Sequence, residues 1–118
     1  MIRPVLSFIL AAMLGSVSML TMAAAQETEI DYLLSAVEDS SCRFVRNDIT
    51  YSSQEFLGHL RSKMELNAEL INSAEEFIDK IATRSAVSEI PYVAICDGQL
   101  KITQDWFFDL LASYRSSE

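Results

Sequence analysis

Histidine and cysteine are scarce in this chain: one His and two Cys among 118 residues. A lone His59, with Cys42 and Cys96 far apart, cannot furnish the clustered ligands of an ordinary zinc site. Nor does the sequence place a nucleophile or carboxylate beside His59, as histidine catalysis requires. Three glycines and two prolines leave no glycine-rich cofactor loop, low-complexity run or linker. Bases are scarce as well, nine Lys and Arg against 17 Asp and Glu, for a net charge of −8. Such a surface repels phosphate backbones and anionic lipid, so nucleic-acid binding is not expected.

What the chain does have is a leader. Arg3 supplies a positive start, residues 5–20 are uncharged and greasy, and Ala23 and Ala25 form an A-x-A cleavage site. The reading is a signal peptide over residues 1–25 and a single domain over 26–118. The alternative is an uncleaved anchor, since residues 5–25 are about long enough to span a bilayer. Against it, the end of the stretch is weakly hydrophobic, and Gln26 and Glu27 follow where Lys or Arg would favour retention. The leader holds no cysteine for a lipid, so no stable membrane anchor is expected once it is cleaved. Its removal takes away one base and no acid, leaving eight bases against 17 acids, a net −9.

A domain this small has a marginal core, and a covalent staple would help it. Both cysteines lie in the mature part, an even count in an oxidising compartment. An intramolecular disulfide is the reading; two buried thiols or an intermolecular bridge are the alternatives.

Hydrophobic spacing marks four helices. Ile30, Leu33, Leu34 and Val37 form one stripe, with Thr28 as its expected cap. Ser52 to Glu55 reads as a capping box opening a helix striped by Phe56, Leu57, Leu60, Met64 and Ile71. Ser73 to Glu76 reads as a second box, before Ala74, Phe77, Ile78, Ile81 and Ala82. Thr103 is the expected cap of a helix bearing Trp106, Phe107, Leu110, Leu111 and Tyr114. Two hairpins lie between them. Residues 92–96 and 99–102 flank Asp97-Gly98, a strong type I′ signal; residues 42–46 and 49–51 flank the weaker Asn47-Asp48. The order is α-β-β-α-α-β-β-α, an α+β domain with a small antiparallel sheet.

Half of the mature positive charge, Arg43, Arg46, Arg61 and Lys63, falls between residues 43 and 63, together with His59. If hairpin and helix pack together, Arg46, His59, Arg61 and Lys63 could form one cationic patch suited to carboxylate or phosphate. The bland reading pairs these bases with nearby acids, and puts His59 on a solvated helix face between Glu55 and Lys63. Glu75, Glu76 and Asp79 are explained by the helix dipole and imply no calcium site. The aromatics crowding the last helix cannot all face one core, so Trp106 or Phe108 is expected at a partly exposed edge.

Five segments taken together resemble a family: residues 40–47 (SSCRFVRN), 59–63 (HLRSK), 71–85 (INSAEEFIDKIATRS), 91–96 (PYVAIC) and the ending Trp106 to Arg115. They look like the small exported bacterial proteins grouped as domain of unknown function fifty-three twenty-nine. The resemblance implies a periplasmic or secreted protein with Cys42 paired to Cys96, and carries over no activity and no cofactor. Arg46, Asn47, His59, Arg61 and Lys63 match its polar pattern. The chain departs from that pattern at Asp48, where Gly is usual, and at Met64, where an aromatic is usual. The functional expectation is a non-catalytic binding or interaction module, its acidic surface and the Trp106 edge docking a basic envelope protein. The alternative is an anionic-ligand protein or enzyme using the Arg46/His59/Arg61/Lys63 patch.

Overall fold

Two dipeptides let the chain reverse direction with little strain. In the computed structural model, which describes residues 25, 27–84 and 89–117, Asn47 and Asp48 take φ of 52° and 66°, Asp97 and Gly98 of 52° and 78°. Positive φ at both central residues is the type I′ geometry, whose twist matches that of the flanking strands. The first turn joins β1 (Arg43–Arg46) to β2 (Ile49–Tyr51), the second β3 (Val93–Cys96) to β4 (Gln99–Ile102). Both expected hairpins are present. The expected signal peptide, Ala25 apart, lies outside the described residues.

The hairpins meet through β1 and β3, antiparallel with Phe44 opposite Ala94, giving the sheet order β2-β1-β3-β4. The disulfide Cys42–Cys96 crosses the same two strands one step beyond the Arg43–Ile95 pair. The intramolecular reading of the cysteines holds.

Around the sheet stand α1 (described over 27–39), α2 (Ser53–Leu66), α3 (Ala74–Lys80) and α4 (Thr103–Ser116). The Ser52 box is complete: its hydroxyl accepts from the Glu55 N–H at 3.2 Å, and its own N–H donates to Glu55 Oε1 at 3.0 Å. At Ser73 the hydroxyl accepts from the Glu76 N–H at 3.1 Å. Ile71 lies past α2, beyond a short 3₁₀ turn (Ala68–Leu70), and Ile81 caps α3 instead of extending it. Thr28 sits inside α1, which already runs through Glu27. Thr103 is the first residue of α4 and not its cap: the ladder pairs Ile102 with Val93, and that pairing fixes where the strand stops.

Period-2 alternation decides what the sheet buries. Phe44 and Ala94 face the helices and are buried with Leu33, Val37, Phe56, Leu60, Phe77, Ile78 and Phe107. On the other face Val45, Val93 and Ile95 are half-buried, and Leu100 and Ile102 are exposed. The helix ends are tied by Arg115, whose guanidinium donates to both carboxylate oxygens of Glu29 (2.6 and 3.0 Å) and of Glu75 (3.1 and 2.9 Å).

Two stability measurements follow. The disulfide closes a sequence separation of 54 residues. Replacing both cysteines by alanine should lower unfolding stability by about 4 kcal/mol at most in the chain-entropy view, read by urea denaturation; no loss would mean the bridge constrains nothing. Asp48→Gly should add about 0.5–1 kcal/mol, because glycine takes positive φ without Cβ strain. A drop in Tm would show that the Asp48 side chain supports the turn.

Candidate functional site

Arg46 lies on the same strand face as Phe44, two residues on, and so turns toward the helices and not to solvent. One register step beyond the Val45–Val93 pair, Arg46 and Tyr92 stand opposite each other across β1 and β3. Tyr92 is fully buried. Its hydroxyl lies 3.2 Å from His59 Nε2, on α2. One turn further along α2, Lys63 Nζ is 5.4 Å from the Tyr92 ring centre. Tyr51, ending β2, completes the group: Arg46 Nη1 donates to its hydroxyl across a long 3.4 Å, and the guanidinium carbon is 5.9 Å from its ring centre. Arg46, His59 and Lys63 therefore converge around two tyrosines.

Electrostatics confirm that the three share one place. His59's pKa is pushed down to about 4, first by burial and then by the charges of Arg46 and Lys63. Lys63 is lowered by burial and then by Arg46. Burial also opposes the charge on Arg46, but the hydroxyls of Tyr92 and Tyr51 more than offset it and leave its pKa raised. Among the described residues no carboxylate answers this charge. The ion pairs there are Lys80–Glu76, Lys101–Asp109 and Arg115 with Glu29 and Glu75, none of which includes a member of the cluster.

The members differ in how well the fold already satisfies them. Lys63 donates to the carbonyls of Ile81 (2.9 Å) and Arg84 (2.6 Å), just past the end of α3, where a cation suits the helix dipole. It has one ammonium proton left. Arg46 is less well served: its Nε is shut off from solvent and finds no acceptor among the described residues. A buried polar group without a partner costs about 1–3 kcal/mol, more when charged.

The remaining expectations divide. Arg61 is exposed, and no hydrogen bond or ion pair among the described residues joins it to the cluster. Trp106 is half-buried, edge-on to Phe44 (5.5 Å) and Phe107 (5.0 Å), which makes it a rim of the core; Phe108 is the more exposed aromatic. His59 is half-buried against Tyr92 and not solvated, because it adjoins the buried Phe56–Leu60 stripe on α2. Tyr51 and Tyr92 were not singled out from the sequence, although alternation from Phe44 to Arg46 points to an inward-facing base in need of acceptors. Among the described residues no three His, Cys, Asp or Glu side chains gather where they could hold a metal ion. No described helix is long and apolar enough to cross a membrane.

Comparison with known proteins places the chain in a family. The family of unknown function DUF5329 matches residues 24–115, and the chain belongs to it. Over 70 residues it is 36% identical to the uncharacterized protein YfeK of Salmonella typhimurium (strain LT2), a stretch that spans 58% of each chain. The match thus covers less than two thirds of that relative's length. No solved structure matches.

The depressed His59 pKa has a consequence for acid stability. The ring is held neutral in the fold, while the unfolded chain takes up its proton near pH 6.5. The stability this contributes is present above pH 6.5 and lost as pH falls through about 4. The wild-type Tm should therefore fall between pH 6.5 and 5, before most carboxylates titrate, and His59→Gln should flatten that slope. An equal slope in both proteins would mean His59 titrates normally.

Proposed function

We propose that this DUF5329 member is an exported, non-catalytic binding module that holds an anionic group, carboxylate or phosphate, between Arg46, His59 and Lys63. The observation that carries the reading is the convergence of three bases with no carboxylate among the described residues, in a chain where acids outnumber bases 17 to nine. Acids near these bases would be expected by numbers alone. A fold that keeps them away leaves a positive potential for a ligand to neutralise.

The donor set suits that ligand. Arg46 presents a planar fork that can hold two oxygens at once, and Lys63 has a third ammonium proton uncommitted. His59 can take up a proton as the anion arrives, since an opposite charge reverses the effect of its two cationic neighbours. Burial raises the pKa of Tyr92, which keeps its hydroxyl protonated as a donor and unsuited to attack as phenolate. Export is supported by the leader-like N-terminus, by a disulfide that fits an oxidising compartment, and by a family match that starts at residue 24.

His59, as the sole histidine, is an unambiguous reporter. Its ring signals, followed by NMR from neutral to acid pH, should give a pKa of about 4 in chloride and a clearly higher one in inorganic phosphate or acetate. Arg46→Gln should raise the anion-free value only partway, burial being the larger cause, and should remove the response to phosphate. A His59 titration curve indifferent to both anions sinks the proposal.

A further inference from the structure

Two serine doublets, Ser40-Ser41 and Ser52-Ser53, lie apart in the sequence, yet the fold brings them together. The exit of α1, the start of β1, the end of β2 and the start of α2 meet around a cavity of about 440 Å³ beside Cys42. Ligand pockets of this size are ordinarily walled by apolar and aromatic side chains with a few polar groups between. Here the proportions are reversed: Ser40, Ser41, Thr50, Ser52, Ser53, Arg43 and Glu55 are polar or charged, and Tyr51 is the one aromatic residue of the lining.

What these groups already do narrows what the cavity can take. Ser40 is committed to the Val37 carbonyl and Ser52 to the capping box. The side-chain hydroxyls of Ser41, Thr50 and Ser53 make no hydrogen bond to the described residues, and Arg43 has no ion pair among them. Glu55 is held below the ordinary carboxylate range by the backbone N–H and hydroxyl of Ser52, the N–H donating to Oε1. An apolar ligand would strip water from all of these and return no hydrogen bonds. A monovalent anion would meet Arg43 but also the Glu55 charge. A neutral polyhydroxylated ligand meets both demands, because each of its hydroxyls can donate to Glu55 or accept from Arg43 and the protein hydroxyls. Tyr51 offers such a ligand a ring against which to lay its C–H face.

We infer that this cavity is a second binding site, distinct from the cationic cluster, for a neutral saccharide-sized ligand rich in hydroxyl groups. Its boundary with the cluster runs through Tyr51, which lines the cavity while its hydroxyl accepts from Arg46.

The full chain, labelled for amide NMR, would be titrated with glucose, N-acetylglucosamine and maltose, with ethylene glycol as the small-diol control. A saturable response to at least one sugar, centred on Ser41, Thr50, Tyr51 and Ser53 and absent with the control, is the expected result. Thr50→Val with Ser53→Ala removes two unengaged hydroxyls at nearly constant shape and should weaken that sugar about tenfold or more with Tm unchanged. Three results would overturn the inference: no saturable response to any of the sugars, a response centred on Arg46 and His59, or equal affinity in the double variant. None of these touches the anion reading, which stands or falls on the His59 titration in phosphate.

Discussion

The pairing of β1 with β3 is the contact on which the rest of the molecule depends. The two hairpins come from distant parts of the chain, and each has strands of only three or four residues. An isolated hairpin is marginal in water. Joined, they make a four-stranded sheet wide enough to carry Phe44 and Ala94 against the helical layer. Both ends of that short ladder matter. At one end the disulfide fixes the register; at the other the same register sets Arg46 opposite Tyr92. A slip of one residue would turn Phe44 and Arg46 to the outer face together, losing core and cluster at once.

Against that frame the three bases are not equivalent. Lys63's position is explained without a ligand, because the carbonyls past α3 need a donor and Lys63 supplies two bonds. His59 is kept neutral, and its contact with Tyr92 is one that a buried hydroxyl would seek in any case. Arg46 is the member the fold leaves unanswered. Its charge is retained with the help of two hydroxyls, while its Nε–H has no described acceptor. The case for an anion therefore rests mainly on Arg46, with His59 as its reporter and Lys63 as a structural cation that contributes a spare proton.

Most of the architecture was legible because it is local. Asp97-Gly98 and Asn47-Asp48 announce reversals through their tolerance of positive φ, and the Ser52 box announces a helix through two reciprocal bonds within four residues. Failures came where residue type was asked to stand for geometry. Thr103 has a capping side chain, but strand pairing at Ile102 decides where the helix begins, and its hydroxyl ends buried without a described partner. His59 looked solvated from its neighbours Glu55 and Lys63, yet its decisive contact is with a tyrosine 33 residues away. The same holds for the cavity beside Cys42, which exists only because four elements converge there. Long-range pairing builds the candidate sites, and no short window of sequence contains it.

Tyr51 shows how closely the two regions are linked. As the last residue of β2 it pairs with Phe44, which fixes its backbone to the core strand. From there Tyr51 lines the cavity, and its hydroxyl is the acceptor that helps Arg46 keep its charge. Ser52 follows at once and caps α2, the helix that carries His59 and Lys63. Two consecutive residues thus end a strand, border a cavity and cap the helix that supplies two of the three bases. The first hairpin and α2 consequently form one unit, with β1 clamped by Cys42 at one end and Arg46 presented at the other. A ligand that shifted Tyr51 from the cavity side would alter the surroundings of Arg46 through the same hydroxyl. That gives the two sites a physical route by which occupancy of one could be felt at the other.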